Sequence, residues 1–138
     1  MEKTLILLKP DAVERFLIWD IIKRFEKKSF KIIWMKMMNL SSEIIDEHYD
    51  FLIDKPFFSK LKKYMMSWPV VAIVILGENS IKIIRDLVWA TNPLEANPWT
   101  IRWDFAINID ANIIHASDSI ENSEKEIKRF FEEKEILL

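Results

Sequence analysis

Hydrophobic residues fall along this chain in short blocks whose spacing changes from segment to segment. TLILLK (4–9) stops at Pro10, and VVAIVIL (70–76) lies between Pro69 and Gly77. Both predict buried strands, being short, rich in branched side chains and closed by residues that end a ladder. KIIWMKMMNL (31–40) predicts another strand, and FAINI (105–109) a fourth. Elsewhere the apolar period is three to four. Leu17, Ile21, Ile22 and Phe25 share one face, with Lys23, Arg24, Glu26 and Lys27 on the other, as in an amphipathic helix. Helices are also predicted over 41–49, capped by Ser41 or Ser42, over 59–66, through Ile81, Ile84, Arg85 and Val88, and over 123–131. TNPLEANPWT (91–100) is too rich in proline for regular structure.

The resulting order is β-α-β-(α)-α-β-α-loop-β-α. Without the extra helices this is the split βαβ arrangement of a ferredoxin-like α+β fold, βαββαβ, with a four-stranded antiparallel sheet, helices on one face and a long loop before the last strand. The 138 residues are half hydrophobic, enough for one domain spanning 1–138 with a real core. Twenty basic and 22 acidic residues leave a net charge of −2, and no field that would draw in nucleic acid or an anionic membrane. No apolar run approaches the ~20 residues of a membrane helix. Cysteine is absent, which excludes thiolate chemistry and suits a reducing, cytoplasmic setting.

Candidate chemistry gathers at NIIHASDS (112–119). His115 stands among Asn112, Ser117 and Asp118, just after the predicted fourth strand, where a loop can present side chains to a ligand. Glu126 is near enough in sequence to fold back and fix one imidazole tautomer, as a nucleophilic histidine requires. Lys9, Arg85 and Arg102 sit at element ends and can meet at one anion. Taken singly, each has a plainer reading: a satisfied structural histidine, a solvated lysine, arginines in surface ion pairs, an exposed helix glutamate, and core packing for Tyr49 and Phe57. His48 receives no role. With a single glycine, Gly77, neither a Walker A loop nor a GxGxxG turn can be built.

LLKPDAV (7–13), HY (48–49), DKPFF (54–58), ATNP (90–93), TIRWDF (100–105), NIIHASDS (112–119) and EKEI (124–127) occur in one register across essentially the whole chain. Together they resemble the nucleoside diphosphate kinase family. The resemblance implies transfer of a γ-phosphoryl group from ATP or another nucleoside triphosphate to a nucleoside diphosphate, in two ping-pong steps through a phosphohistidine on His115. It also places Lys9, Tyr49, Arg85, Thr91 and Arg102 around the phosphates, Asn112 and Lys9 at the ribose, and Phe57 under the base. Ser117 and Glu126 orient the imidazole. Mg²⁺ arrives on the nucleotide rather than in a protein cage, and the subunit assembles as a homo-oligomer, tetramer or hexamer. The rival expectation is a catalytically weak or inactive ferredoxin-like assembly protein that binds nucleotide or protein partners.

One feature of composition departs from that pattern. Average usage of about 7% glycine predicts roughly ten, yet there is one, alongside six tryptophans at positions 19, 34, 68, 89, 99 and 103. These are positions where the family pattern normally has glycine. Trp68 and Trp89 fall just past predicted helix ends, where the chain commonly turns left-handed, and Trp99 and Trp103 lie in or beside the irregular loop. The expectation is that glycine codons, UGA in the source's code, have been read as tryptophan, with a deliberately substituted variant as the competing account and Trp34 as the one site that suits a core aromatic. Phe16 and Asp110 also occupy family glycine positions, and that explanation does not reach them.

Overall fold

The computed structural model describes residues 1–136. Four strands, β1 (Glu2–Leu8), β2 (Lys31–Met38), β3 (Val70–Gly77) and β4 (Ile114–Ala116), form one sheet in the order β2-β3-β1-β4. Every neighbouring pair is antiparallel, with Ile6 opposite Ile73 in β3 and Ala116 in β4. The two oldest strand predictions in chain order, 4–9 and 31–40, and the third, 70–76, therefore stand with boundaries moved by up to two residues. The sheet order and the split βαβ connections are those of the ferredoxin-like fold.

Helices cover both faces of this sheet, not the one face anticipated. Side chains alternate across a strand, so β1 sends Ile6 and Leu8 to one core and Leu5 and Leu7 to the other. Ile6, Leu8, Val71, Ile73 and Ile75 pack with Ile21, Ile22 and Phe25 of α2 (Ile18–Lys27), with Ile84 and Val88 of α5 (Ser80–Val88), and with Ile101 of α6 (Ile101–Phe105). On the other face Leu5, Leu7, Val70, Ala72 and Val74 pack with Ile45 of α3 (Ser42–His48), Met65 of α4 (Phe58–Met65), and Ile127 and Phe130 of α7 (Ile120–Phe130). A short α1 (Pro10–Glu14), opened by proline at its first position, was not predicted. Ser41 is the cap of α3, its side chain accepting from Ile44 N.

The predicted fourth strand at 105–109 is wrong. Phe105 ends α6, and Ile107 and Ile109 are exposed rather than buried. Asn108 accepts hydrogen bonds from the backbone N–H groups of Asp110 and Ala111, which folds this stretch into a turn. The strand is instead the three residues that carry His115. Residues 91–100 are irregular as expected apart from one 3₁₀ turn at Pro93–Glu95.

Backbone conformation separates the tryptophan sites. Trp89 and Trp99 have φ of 67° and 72°, in the left-handed region, as have Phe16 and Ser29 at 61° and 62°. Trp68 does not turn left-handed, and Trp103 lies within α6.

The one glycine serves packing rather than conformation. A Cβ built on Gly77 at the end of β3 would stand 2.3 Å from the Phe30 ring, which is itself buried. Gly77→Ala should therefore cost about 1–3 kcal/mol by overpacking, read as a lower urea midpoint with an unchanged slope. Adding Phe30→Leu should return part of the loss.

Candidate active site

Strand alternation aims His115. Ile114 and Ala116 sink into the core beneath α2 and α5, so the side chain between them emerges on the opposite face, among α3 and α7. There its Nε2 lies 3.0 Å from Glu126 Oε1. The other oxygen of Glu126 accepts from Ser117 Oγ at 2.5 Å, and Ser117 Oγ accepts from Leu5 N at 3.2 Å. Burial pushes the Glu126 carboxyl upward, but the bonds from His115 and Ser117 outweigh it and hold the group below its ordinary value. A carboxylate there favours the tautomer that carries its proton on Nε2. The Nδ1 lone pair is left without a hydrogen bond among the described residues, which is the state a nucleophile needs.

His115 opens into a cavity of about 550 Å³. Its walls include Lys9, Tyr49, Arg85, Thr91, Arg102 and Asn112, six of the residues predicted for the site. Lys9, at the end of β1, donates to Asn112 Oδ1 at 2.7 Å. Burial, and then the charge of Arg102, lower its pKa to about 8, with Asp11 pulling the other way. Asn112 in turn donates from Nδ2 to the Thr91 carbonyl at 3.2 Å. Arg85, on the last turn of α5, reaches the Ala116 carbonyl at 3.3 Å. Tyr49, just past α3, is buried with its hydroxyl 3.9 Å from Met65 Sδ, and burial raises its pKa.

Arg102 is the most enclosed of the cations. Its Nη1 donates to the carbonyl of residue 89 at 2.7 Å, Nη2 to the Ile114 carbonyl at 2.7 Å and Nε to the Asn112 carbonyl at 3.4 Å. Burial, then Arg85, lowers its pKa to about 10, so it remains charged at neutral pH. Ser117 stands behind the imidazole rather than in the cavity wall, as an orienting residue should. Phe57 is the exception. It precedes α4 with a half-exposed ring and is not part of the lining, where Phe51 and Leu52 stand instead.

Four contributors escaped the sequence reading. His48, buried at the end of α3, sets its ring 4.8 Å from that of His115 at 83°. Arg129 Nη1 donates to its Nδ1 at 3.0 Å. Burial and then the neighbouring His115 depress His48 to about 3, so it is a neutral ring at working pH. Arg129 Nε lies 3.0 Å from Glu47 Oε1. Glu126 and Arg129 are three apart on α7 and so share a face, a signal the spacing did offer. Asp11, in α1, accepts from Ile113 N at 3.2 Å and from the Tyr64 hydroxyl. Nothing in a helix-start aspartate announces that contact, which spans 102 positions.

Donor atoms of His48, His115 and Glu126 lie within 4.8 Å of one another, a composition that can hold a metal. Lys9, Arg85, Arg102 and Arg129 line the same cavity, however, and like charges at this range oppose a bare cation. The lining also holds the carboxylates of Glu47, Asp50, Asp118 and Glu126, so the cavity sets clustered cations and carboxylates around the His115 ring.

Comparison with known proteins gives this chemistry a family. The model of the nucleoside diphosphate kinase family matches residues 2–136. The chain is 48% identical to the nucleoside diphosphate kinase of Archaeoglobus fulgidus, over 99% of this chain and 91% of that one. It is 50% identical to nucleoside diphosphate kinase A 1 of Bos taurus, over 99% and 90%. Among solved structures, the halophilic nucleoside diphosphate kinase of Halobacterium salinarum in complex with CDP superposes with a TM-score of 0.96 at 39% identity, over 99% of this chain and 91% of that one. The Aquifex aeolicus enzyme gives 0.94 at 40%, over 99% of each. With a family model matched over 2–136 and likeness of this extent to full-length relatives, the chain belongs to the nucleoside diphosphate kinase family, enzymes that move a phosphoryl group from a nucleoside triphosphate to a nucleoside diphosphate.

Proposed function

We propose that His115 Nδ1 is the group that carries the phosphoryl between the two nucleotides. In the first half-reaction a bond forms from Nδ1 to the γ-phosphorus of ATP or another triphosphate as the bond to the β-bridging oxygen breaks, and the diphosphate departs. In the second, a terminal oxygen of an incoming diphosphate attacks that phosphorus and the imidazole leaves. The observation that carries this reading is the Nε2 contact to Glu126, which keeps the ring proton on the far nitrogen throughout. Lys9, Arg85 and Arg102 neutralise charge as it migrates, with Tyr49 and Thr91 completing the phosphate pocket and Asn112 and Lys9 meeting the ribose. One pocket serves donor and acceptor in turn because it recognises only what both share.

The carboxylates beside the nucleophile are already engaged, Glu126 by His115 and Ser117, and Asp118 by Asn122 at 2.7 Å. That fits Mg²⁺ carried by the nucleotide, where it offsets charge between the β- and γ-oxygens. Assembly as a homo-oligomer, tetramer or hexamer, is supported by the free edge of β2, where Met35 and Met37 are exposed. No helix among the described residues is long and apolar enough to cross a membrane. A binding protein without turnover is not favoured, since the family model and the full-length relatives are those of the kinase.

Incubation with γ-labelled ATP should leave acid-labile, base-stable label on the protein. His115→Ala should abolish it, and an unlabelled parent chain would overturn the reading.

Lys9 supplies a pH dependence whose sign can be stated. Its pKa is about 8 in the free protein, and a phosphate placed beside it raises that value. Above about pH 8 the bound state therefore holds a proton that the free state lacks. Calorimetry in buffers of differing ionisation enthalpy should show proton uptake on ATP binding near pH 9 and little at pH 7, with affinity falling as pH rises. Lys9→Met should abolish the uptake.

Phe57 extends the site beyond the phosphate pocket, as a platform for the base. Phe57→Ala should raise KM by the equivalent of about 1–3 kcal/mol while leaving kcat much less changed. An unaltered KM would remove Phe57 from the site.

A further inference from the structure

Residues 89 and 99 hold tryptophan on backbone that tryptophan does not choose. Trp89, the residue following α5, has φ 67° and ψ −157°, a combination essentially confined to glycine because any Cβ collides with its own carbonyl neighbours. Trp99 has φ 72°. Neither indole offers anything in return. Trp99 is 85% exposed and Trp89 39% exposed, and neither ring makes an aromatic pair or a hydrogen bond among the described residues.

It is the backbone at these positions that is employed. The N–H of residue 89 donates to the Arg85 carbonyl at 2.7 Å, and its carbonyl accepts from Arg102 Nη1 at 2.7 Å. The carbonyl of residue 99 accepts from Arg24 Nη1 at 3.0 Å. Residue 89 thus links two of the phosphate-pocket arginines, and only a left-handed turn there lets it do so. Ile113 makes the contrast. It too is left-handed, at φ 73°, but its side chain is fully buried and Asp11 holds its N–H, so packing compensates the strain.

We infer that residues 89 and 99 are glycine in the protein that the natural source makes, and that glycine at 89 is a positioning residue of the phosphoryl-transfer pocket, acting through its carbonyl on Arg102. The positioning half rests on the function proposed above; the identity half does not. A single UGA codon read as glycine by the source accounts for both sites, and it applies equally at 19, 34, 68 and 103. Trp19 is mostly exposed and Trp68 and Trp103 are about half-exposed, whereas Trp34 is the exception, packing against the core and edge-on to Phe131 although its buried Nε1 has no partner. The same event raises the glycines from one to seven, where roughly ten are expected.

One tryptic peptide carries both sites, since cleavage after Arg85 and Arg102 releases 86–102. In protein from source cells its mass should be lower by two tryptophan-to-glycine differences, and the gene should show UGA at both codons. A peptide mass matching two tryptophans, or UGG at both codons, overturns the inference even if His115 labels normally. In recombinant chains, Trp89→Gly should raise Tm by about 4 °C or more, on the scale expected for relieving backbone strain of this kind. It should also raise kcat for phosphoryl transfer more than it changes KM. Trp89→Ala removes the same bulk but keeps a Cβ, and should recover neither. Equal recovery by alanine and glycine would show that ring size, not backbone conformation, matters at 89 and would overturn the positioning role. Absence of label on His115 in the glycine form would instead defeat the proposed function and leave the residue identities standing.

Discussion

The turn at Asn112, Ile113 and Ile114 is the constraint on which the pocket depends. Ile113 is a buried β-branched residue in the left-handed region, a conformation that costs on the order of 1–3 kcal/mol and persists only where its surroundings over-determine it. They do so here through three contacts. Asp11 accepts from Ile113 N, Lys9 N donates to the Ile113 carbonyl at 2.8 Å, and Ile114 N bonds back to the Asn112 carbonyl at 2.8 Å. The strain is spent on direction. Asn112 is delivered beside Lys9, and the chain then enters β4 in the register that sends His115 to the face of α7. Arg102 reads the same turn from the other side, bonding the carbonyls of Asn112 and Ile114. The His115 imidazole, the Asn112 amide and the Arg102 guanidinium are thereby positioned by one short turn.

Electrostatics in the pocket makes sense only with an anion in mind. Lys9, Arg85, Arg102 and Arg129 share one cavity, and burial together with mutual repulsion lowers Lys9 and Arg102. Such a cluster costs folding free energy in the unliganded chain, and on the proposed function phosphate binding would offset that cost. His48 shows how the same field is kept off the nucleophile. A second imidazole this close would compete for protons, but burial and Arg129 hold it neutral, and it packs as an edge against His115. Glu126 is left as the one carboxylate bonded to the nucleophile, which keeps the tautomer unambiguous.

Much of this was legible in the chain, and the failures have physical causes. Lys9, Asn112, His115, Ser117 and Glu126 were readable through their joint occurrence in one family register, since each taken singly has a plain structural use at a strand or helix end. The long strands were readable from branched apolar runs. The uninterrupted run from Val70 to Leu76 even announced burial on both faces, since a one-sided sheet would alternate; the expectation of helices on one face overlooked it. FAINI misled because its alternation is that of a half-buried strand, whereas Asn108 folds the backbone into a turn and leaves the isoleucines in solvent. The true β4 has three residues, too few for any period to show. Asp11, His48 and Arg129 act through contacts between distant elements, which local spacing does not encode.

Left-handed residues sort the chain by what holds them. Ser29 and Asn79 sit at helix boundaries, where short polar side chains tolerate the turn. Ile113 is held by a buried network. Phe16, Trp89 and Trp99 have neither device, for they are large, exposed and without side-chain partners at the bend. Yet the backbone around them is as firmly bonded as anywhere: Leu17 N bonds to the Ala12 carbonyl at 2.9 Å beside Phe16, and the carbonyls of 89 and 99 take arginine donors. Firm backbone under an idle side chain is the pattern of a position whose fold was set for a residue with no side chain. Phe16 fits it as well as the tryptophans do, although no misread codon reaches phenylalanine. At residue 16 the left-handed turn is kept with a phenylalanine at its exposed tip, where the ring is 89% exposed and crowds nothing. At residue 89, against Arg102 and the phosphate pocket, the same tolerance is not available.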